Sequence, residues 1–90
     1  MFNLFKSPEE KLEQEMFKSI KRKAFSCLKE SGMERSPLEG TVLISCIKDA
    51  EKNFLERTID VSRKHGIPKE KAISIIENSA QRVRNEYIKY

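Results

Sequence analysis

The 90-residue sequence contains no tryptophan, two cysteines, three glycines and three prolines. Two cysteines are too few for a disulfide framework or for a four-ligand zinc site. No stretch approaches the roughly 18 apolar residues of a membrane span, and the start of the chain lacks the basic segment and apolar run of a secretory signal. We therefore expect a cytoplasmic protein with free thiols and no membrane span.

Charged residues make up 36 % of the chain and hydrophobic residues 38 %, which excludes both a disordered tail and a membrane protein. A chain of this length forms one domain, because folding buries only about 60 to 65 % of the surface of the unfolded chain. The net charge of +4 is a modest excess that favours anionic partners weakly.

Capping motifs divide the chain into three predicted helices. Ser7 and Pro8 are followed by Glu10, which is a helix start with a serine cap and a glutamate three residues later. The sequence SPLE at residues 36–39 repeats this arrangement, and Gly66 precedes the proline that ends the second helix. We predict an N-terminal arm over residues 1–6 and helices over about residues 8–30, 37–65 and 68–89.

Each predicted helix has one apolar stripe, because apolar residues recur at steps of three and four. The second helix also has a second apolar side, formed by Ile44, Leu55 and Ile59, and therefore needs two neighbours. Short connections force sequential helices to lie antiparallel. The expected fold is all-α, an up-down-up antiparallel three-helix bundle with a long central helix, in one domain over residues 1–90.

A basic stripe on the first helix is the sharpest surface feature. It lies opposite the core stripe and consists of Lys11, Lys18, Lys21, Arg22, Phe25 and Lys29. Cations around an aromatic ring are typical of single-strand nucleic-acid binding, in which phosphates are neutralised and a base stacks on the ring. Ordinary patterning of a solvated helix face explains the same residues. Nucleic-acid binding by an accessory protein is therefore the alternative function.

The chain also has more apolar residues than one three-helix core can bury. The surplus residues are Phe2, Leu4, Phe5, Phe25, Ile73, Ile75 and Ile88. Small helical proteins usually bury such a surplus in a partner, often a second copy of themselves. We predict a non-enzymatic interaction or regulatory module that binds another protein and forms a homodimer. There are two alternatives for the N-terminal arm. Residues 1–6 either fold back over the bundle or lie on a membrane surface.

No catalytic residue, cofactor or metal site is expected. The carboxylates of the second helix, between residues 49 and 60, point away from the core and cannot meet those at the start of the first helix. His65, the only histidine, is expected near Glu13 and Glu70. A histidine in a last helical turn interacts favourably with the last carbonyl groups, and this structural role explains its presence. We therefore predict that the protein is not an enzyme.

The two cysteines, Cys27 and Cys46, are expected to point into the bundle. Counted from the middle of the connection between the first two helices, they are offset by about 7 Å along the helix axes. That offset is too large for an easy disulfide, which predicts two small core residues with free thiols.

Overall fold

The computed structural model of the chain describes residues 7–87 and contains four α-helices within them. They are α1 (Pro8–Ser31), α2 (Glu39–Glu56), α3 (Thr58–His65) and α4 (Lys69–Tyr87). Residues 7–87 contain no strand, and none of their four helices is long and apolar enough to cross a membrane. The all-α prediction is therefore confirmed, whereas the predicted count of three helices is not.

Helix α1 begins and ends at the signals expected from the sequence. The backbone N–H of Glu10 donates to Ser7 Oγ at 3.1 Å, and the backbone N–H of Ser7 donates to the Glu10 carboxylate at 3.3 Å. Gly32 ends the helix with φ of 73°, a left-handed conformation that glycine adopts without a steric penalty. Gly66 ends α3 in the same way, with φ of 65°.

Helix α2 begins at Glu39, two residues later than predicted, because Ser36 does not cap it. The Ser36 hydroxyl donates to the Met33 carbonyl at 2.8 Å and accepts the Leu38 N–H at 3.2 Å, which closes a turn before the helix. The Glu39 carboxylate accepts the N–H of Arg35 at 3.0 Å. The SPLE motif therefore stabilises the turn between α1 and α2, and α2 begins at the last residue of the motif, Glu39.

The predicted helix over residues 37–65 is interrupted at Arg57, where α2 gives way to α3. The Arg57 N–H donates to the Phe54 carbonyl at 3.0 Å, a bond to the third preceding residue that tightens the last turn. The hydroxyl of Thr58, which is 4 % exposed, donates to the Leu55 carbonyl at 2.5 Å. A threonine hydroxyl that donates to a backbone carbonyl competes with the regular hydrogen bonds of the helix. The sequence has no glycine or proline at this point that would indicate a break.

The core lies where α1 packs against α2 and α4, and Ile67, just before α4, is also buried. Its α1 side is the predicted stripe, formed by Leu12, Met16, Ile20, Ala24 and Leu28. Helix α2 supplies Leu43, Cys46, Ile47 and Ala50, and α4 supplies Ala72, Ile75, Ile76, Ala80 and Val83. No residue between Leu28 and Leu43 is buried, so the core stops short of the α1–α2 connection.

Ile75 does not lie on the surface where we expected it to meet a partner. It is 7 % exposed and belongs to the core, beside Ile76 on the inner face of α4. The sequence predicts a narrow buried stripe on α4 that leaves Ile75 outside the core. The stripe is wider because α4 packs against α1, α2 and α3 together.

Cys27 and Cys46 form a disulfide between α1 and α2, so the prediction of free thiols is wrong. Their Cα atoms are 5.8 Å apart, within the range that a disulfide spans. The predicted offset was too large because α1 ends and α2 begins later in the chain than expected, which moves the middle of the connection towards Cys46. Measured from the ends of α1 and α2 it is about 4.5 Å. Closing a loop with a sequence separation of 19 stabilises the fold by about 3 kcal/mol.

Replacing Thr58 with valine is expected to lower the free energy of unfolding by about 1 to 2 kcal/mol, because the Leu55 carbonyl loses its hydroxyl donor. Chemical denaturation followed by circular dichroism measures the change. Thr41→Val is the matched control: Thr41 is exposed on α2, and its replacement should change stability by less than about 0.5 kcal/mol. Equal losses in the two variants would show that the hydroxyl does not stabilise the break.

Candidate functional site

Four cations of the predicted basic stripe face the solvent along α1. Lys11, Lys18, Arg22 and Lys29 are exposed, and none of them has an ion-pair partner among residues 7–87. The stripe extends over about 27 Å of the helix. Glu15, the acidic residue beside it, is occupied by α3, since Lys64 Nζ and His65 Nε2 lie 3.6 and 3.5 Å from its carboxylate oxygens. These cations are the part of the stripe open to an anion.

Lys21, the fifth cation predicted for this stripe, is turned towards α4 instead. Its Nζ lies 2.9 Å from Glu86 Oε1, 5.7 Å from the centre of the Phe17 ring and 5.8 Å from that of Tyr87. The hydrogen bond to Glu86, followed by that to Tyr87, raises the pKa of Lys21 above its ordinary value of 10.5. Lys21 therefore joins two helices and is not free to bind a phosphate.

Phe25 packs edge-on against Tyr87, with ring centres 5.0 Å apart and an angle of 85° between the rings. It remains 37 % exposed, so part of the ring still faces the solvent. Next to this pair, the Arg82 guanidinium lies 4.7 Å from the centre of the Phe17 ring. The sequence reasoning missed this α1–α4 cluster. The spacing of Phe17, Lys21 and Phe25 at steps of four could have indicated a shared helix face.

An apolar cleft opens where the α2–α3 break faces α4. Leu55, Ile59 and Ile73 form its apolar surface, and Glu56, Thr58, Lys69 and Glu77 complete its lining. Ile59 is 57 % exposed, the largest exposed fraction among the exposed large hydrophobic residues of the described chain. Ile44, 41 % exposed, lies on the same side of α2 as Leu55, about 20° away around the helix. The cleft therefore contains Ile73 together with Leu55 and Ile59, two of the three residues of the second apolar side expected from the sequence.

The residues predicted to form one partner surface do not lie together. Ile73 lines the cleft, whereas Phe25 contacts Tyr87, which is about 21 Å from Ile73 along α4. Ile75 is buried in the core. The remaining members, Phe2, Leu4, Phe5 and Ile88, lie outside the described residues. Of the predicted members within residues 7–87, only Ile73 lies in the cleft, and the surface as a whole stays a prediction.

Two further contacts between ionisable side chains join different helices. His65 contacts Glu15, not Glu13 or Glu70 as expected, and its side chain is 13 % exposed. Arg84 on α4 pairs with Glu51 on α2, with both side chains largely shielded from solvent. Within residues 7–87, no three or more His, Cys, Asp or Glu side chains are grouped as a metal site would require. These pairs tie helices to one another at the edges of the core.

No protein family, curated protein or solved structure compared with this chain matches it. Its function has to be inferred from the chemistry of its own surfaces. Two surfaces stand out in the described part of the chain, the apolar cleft and the basic stripe of Lys11, Lys18, Arg22 and Lys29.

Replacing Glu86 with glutamine is expected to lower the pKa of Lys21 towards 10.5, because the charged acceptor of its ammonium group is lost. A pH titration of the lysine side-chain NMR signals measures this shift. Because the folded state raises this pKa, the pair stabilises the protein at pH values below 10.5, and its contribution disappears as the pH rises through the raised value.

The control for this titration is Glu77→Gln, which removes an exposed carboxylate from the same helix. It should leave the titration of Lys21 unchanged, because Glu77 lines the cleft and is not one of the groups that raise the pKa of Lys21. If Glu86→Gln also leaves it unchanged, the ion pair does not form in solution.

Proposed function

We propose that this chain is a small, non-enzymatic interaction or regulatory module that binds another protein through the apolar cleft of Leu55, Ile59 and Ile73. The observation that supports this function most directly is the exposure of Ile59 at the mouth of the cleft. An exposed apolar patch bordered by polar residues is typical of protein-binding surfaces. Full burial of one such side chain is worth about 1.5 to 3 kcal/mol.

The partner we propose is a second copy of the chain, which would make the protein a homodimer. The lining of the cleft carries both signs of charge, with Lys69 on one side of the balance and Glu56 and Glu77 on the other. Lys48 and Lys52 continue this mixed pattern along α2 beside Leu55. A surface on which cations and anions alternate around an apolar centre can pair with itself across a two-fold axis, where each residue meets its counterpart's neighbour.

The compartment in which this module acts is a separate question. Our expectation of a cytoplasmic protein used free thiols as an argument, and the disulfide between Cys27 and Cys46 removes that argument. Disulfides in the cytosol are usually transient or redox-sensing, whereas they persist in oxidising compartments. A cytoplasmic location therefore belongs to the proposal only if cellular thiols can open this disulfide.

Replacing Ile59 with glutamate is expected to weaken the homodimer at least about tenfold, because each subunit would place a charge in the apolar contact. Analytical ultracentrifugation over a range of protein concentrations measures the dissociation constant. Ile59 is exposed and makes no core contact, so the fold should be unaffected. Leu38→Glu is the matched control, since Leu38 is 55 % exposed but lies at the opposite end of α2. A monomeric wild type, or equal weakening by both changes, would contradict this assignment.

A second function has its own supporting observation, the four exposed cations of α1 that have no ion-pair partner among residues 7–87. As the alternative, the chain binds single-stranded nucleic acid along this stripe, with the exposed part of Phe25 available to a base. Four phosphate contacts on a single strand would make the affinity fall about 50-fold between low and moderate salt. Apolar docking would change little over the same range.

The double variant Lys18→Glu, Arg22→Glu is expected to lower the affinity for a labelled single-stranded oligonucleotide at least about tenfold at low salt. Fluorescence anisotropy measures the binding. The control, Lys48→Glu with Lys52→Glu, makes the same change in net charge on α2, where both lysines are exposed, and should have a smaller effect. An equal loss in the two variants would indicate attraction by net charge alone, and the absence of binding by the wild type would dismiss the alternative.

A further inference from the structure

The disulfide that joins α1 to α2 is open to solvent on one side only. Cys46 is 3 % exposed and lies on the core face of α2 with Leu43, Ile47 and Ala50. Cys27 is partly exposed, and both cysteines line a shallow cleft between the two helices. The two sulfur atoms of one bond therefore have different environments.

Polar and charged side chains border the cleft beside the disulfide. Lys23, Ser26 and Glu30 line it from α1, and Asp49 and Asn53 line it from α2. The Nζ of Lys23 lies 5.7 Å from the centre of the Phe54 ring on α2. A small polar thiol can approach Cys27 from this side through water, whereas Cys46, which also lines the cleft, is only 3 % exposed and presents much less surface to it.

We propose that Cys27 is a site of thiol–disulfide exchange with a low-molecular-weight thiol, and that Cys46 is the thiol that resolves the mixed disulfide. The external thiolate attacks Cys27 Sγ, forms a new sulfur–sulfur bond there, and breaks the bond to Cys46. The electron pair of the broken bond goes to Cys46 Sγ, which takes up a proton from water. The greater exposure of Cys27 determines which of the two sulfur atoms is attacked.

Two reactions lead away from this mixed disulfide. In the first, the thiolate of Cys46 attacks Cys27 Sγ, expels the small thiolate and restores the disulfide. In the second, another small thiolate attacks the outer sulfur, leaves Cys27 as a thiolate that takes up a proton, and forms an oxidised small-molecule disulfide. The complete second route reduces the protein disulfide by two electrons and oxidises two molecules of the small thiol.

The position of the bond determines what its opening would change. No residue between Leu28 and Leu43 is buried, so the disulfide closes the α1–α2 hairpin near the point where the core ends. Met33 and Leu38, which are 37 % and 55 % exposed, lie in the loop that it closes. Opening the disulfide would therefore loosen this end of the molecule and leave the packing of α1 against α4 in place.

Glutathione, in its reduced and oxidised forms, is the probe for this proposal. The full-length single-cysteine variants Cys46→Ser and Cys27→Ser are treated with oxidised glutathione, and the adducts are measured by intact-mass spectrometry after acid quenching. We expect the adduct to form on Cys27 at least about tenfold faster than on Cys46, because Cys27 is partly exposed and Cys46 is buried. Equal rates, or faster modification of Cys46, would overturn the proposal.

Wild-type protein provides an independent measurement if either serine variant loses its helical circular dichroism signal. After treatment with reduced glutathione and acid quenching, peptide mapping should locate the mixed disulfide on Cys27. The adduct should be less populated than in Cys46→Ser, because Cys46 resolves it. An adduct on Cys46 would overturn the assignment of the attacked sulfur. A disulfide that a strong dithiol opens but glutathione does not would overturn the proposal as a whole and indicate a purely structural bond.

Discussion

The packing of the apolar stripe of α1 is the contact on which the rest of the structure depends. Ile20, at the middle of this stripe, is fully buried, and α1 packs against both α2 and α4. An ion pair of 3.0 Å between Glu9 and Lys71 joins the start of α1 to the start of α4, and one of 2.9 Å between Lys21 and Glu86 joins the middle of α1 to the end of α4. Because its inner face is occupied along its length, α1 has only its outer, basic face left for other molecules.

The break between α2 and α3 determines where the apolar surplus is exposed. Ser62 Oγ donates to the Ile67 carbonyl at 2.5 Å, and Ile67 is buried, so the end of α3 is held against the start of α4. With α3 in this position, Ile59 lies opposite Ile73 and the cleft between them stays open. The proposed protein-binding surface is thus a consequence of the break.

The disulfide and the ion pairs stabilise different parts of the molecule. The Cys27–Cys46 bond closes the end of the α1–α2 hairpin that lacks buried residues, whereas Arg84 and Glu51 join α4 to α2 further along the bundle. The apolar cleft, the basic stripe and the exchange site lie on different parts of the surface. Each can therefore be altered without removing the residues of the other two.

The sequence alone determined the helices whose signals are local. The Ser7 cap and the glycine ends of α1 and α3 act within one helical turn, and the apolar stripe of α1 repeats along a single helix, so both can be recognised from neighbouring residues. Only the tertiary structure decided the break at Arg57, the burial of Ile75 and the disulfide. The burial of Ile75 and the disulfide depend on the register between helices, which is set by packing among side chains distant in sequence and therefore leaves no local signal. The break involves the hydroxyl of Thr58, but threonine also occurs within unbroken helices, so the residue by itself does not mark a break.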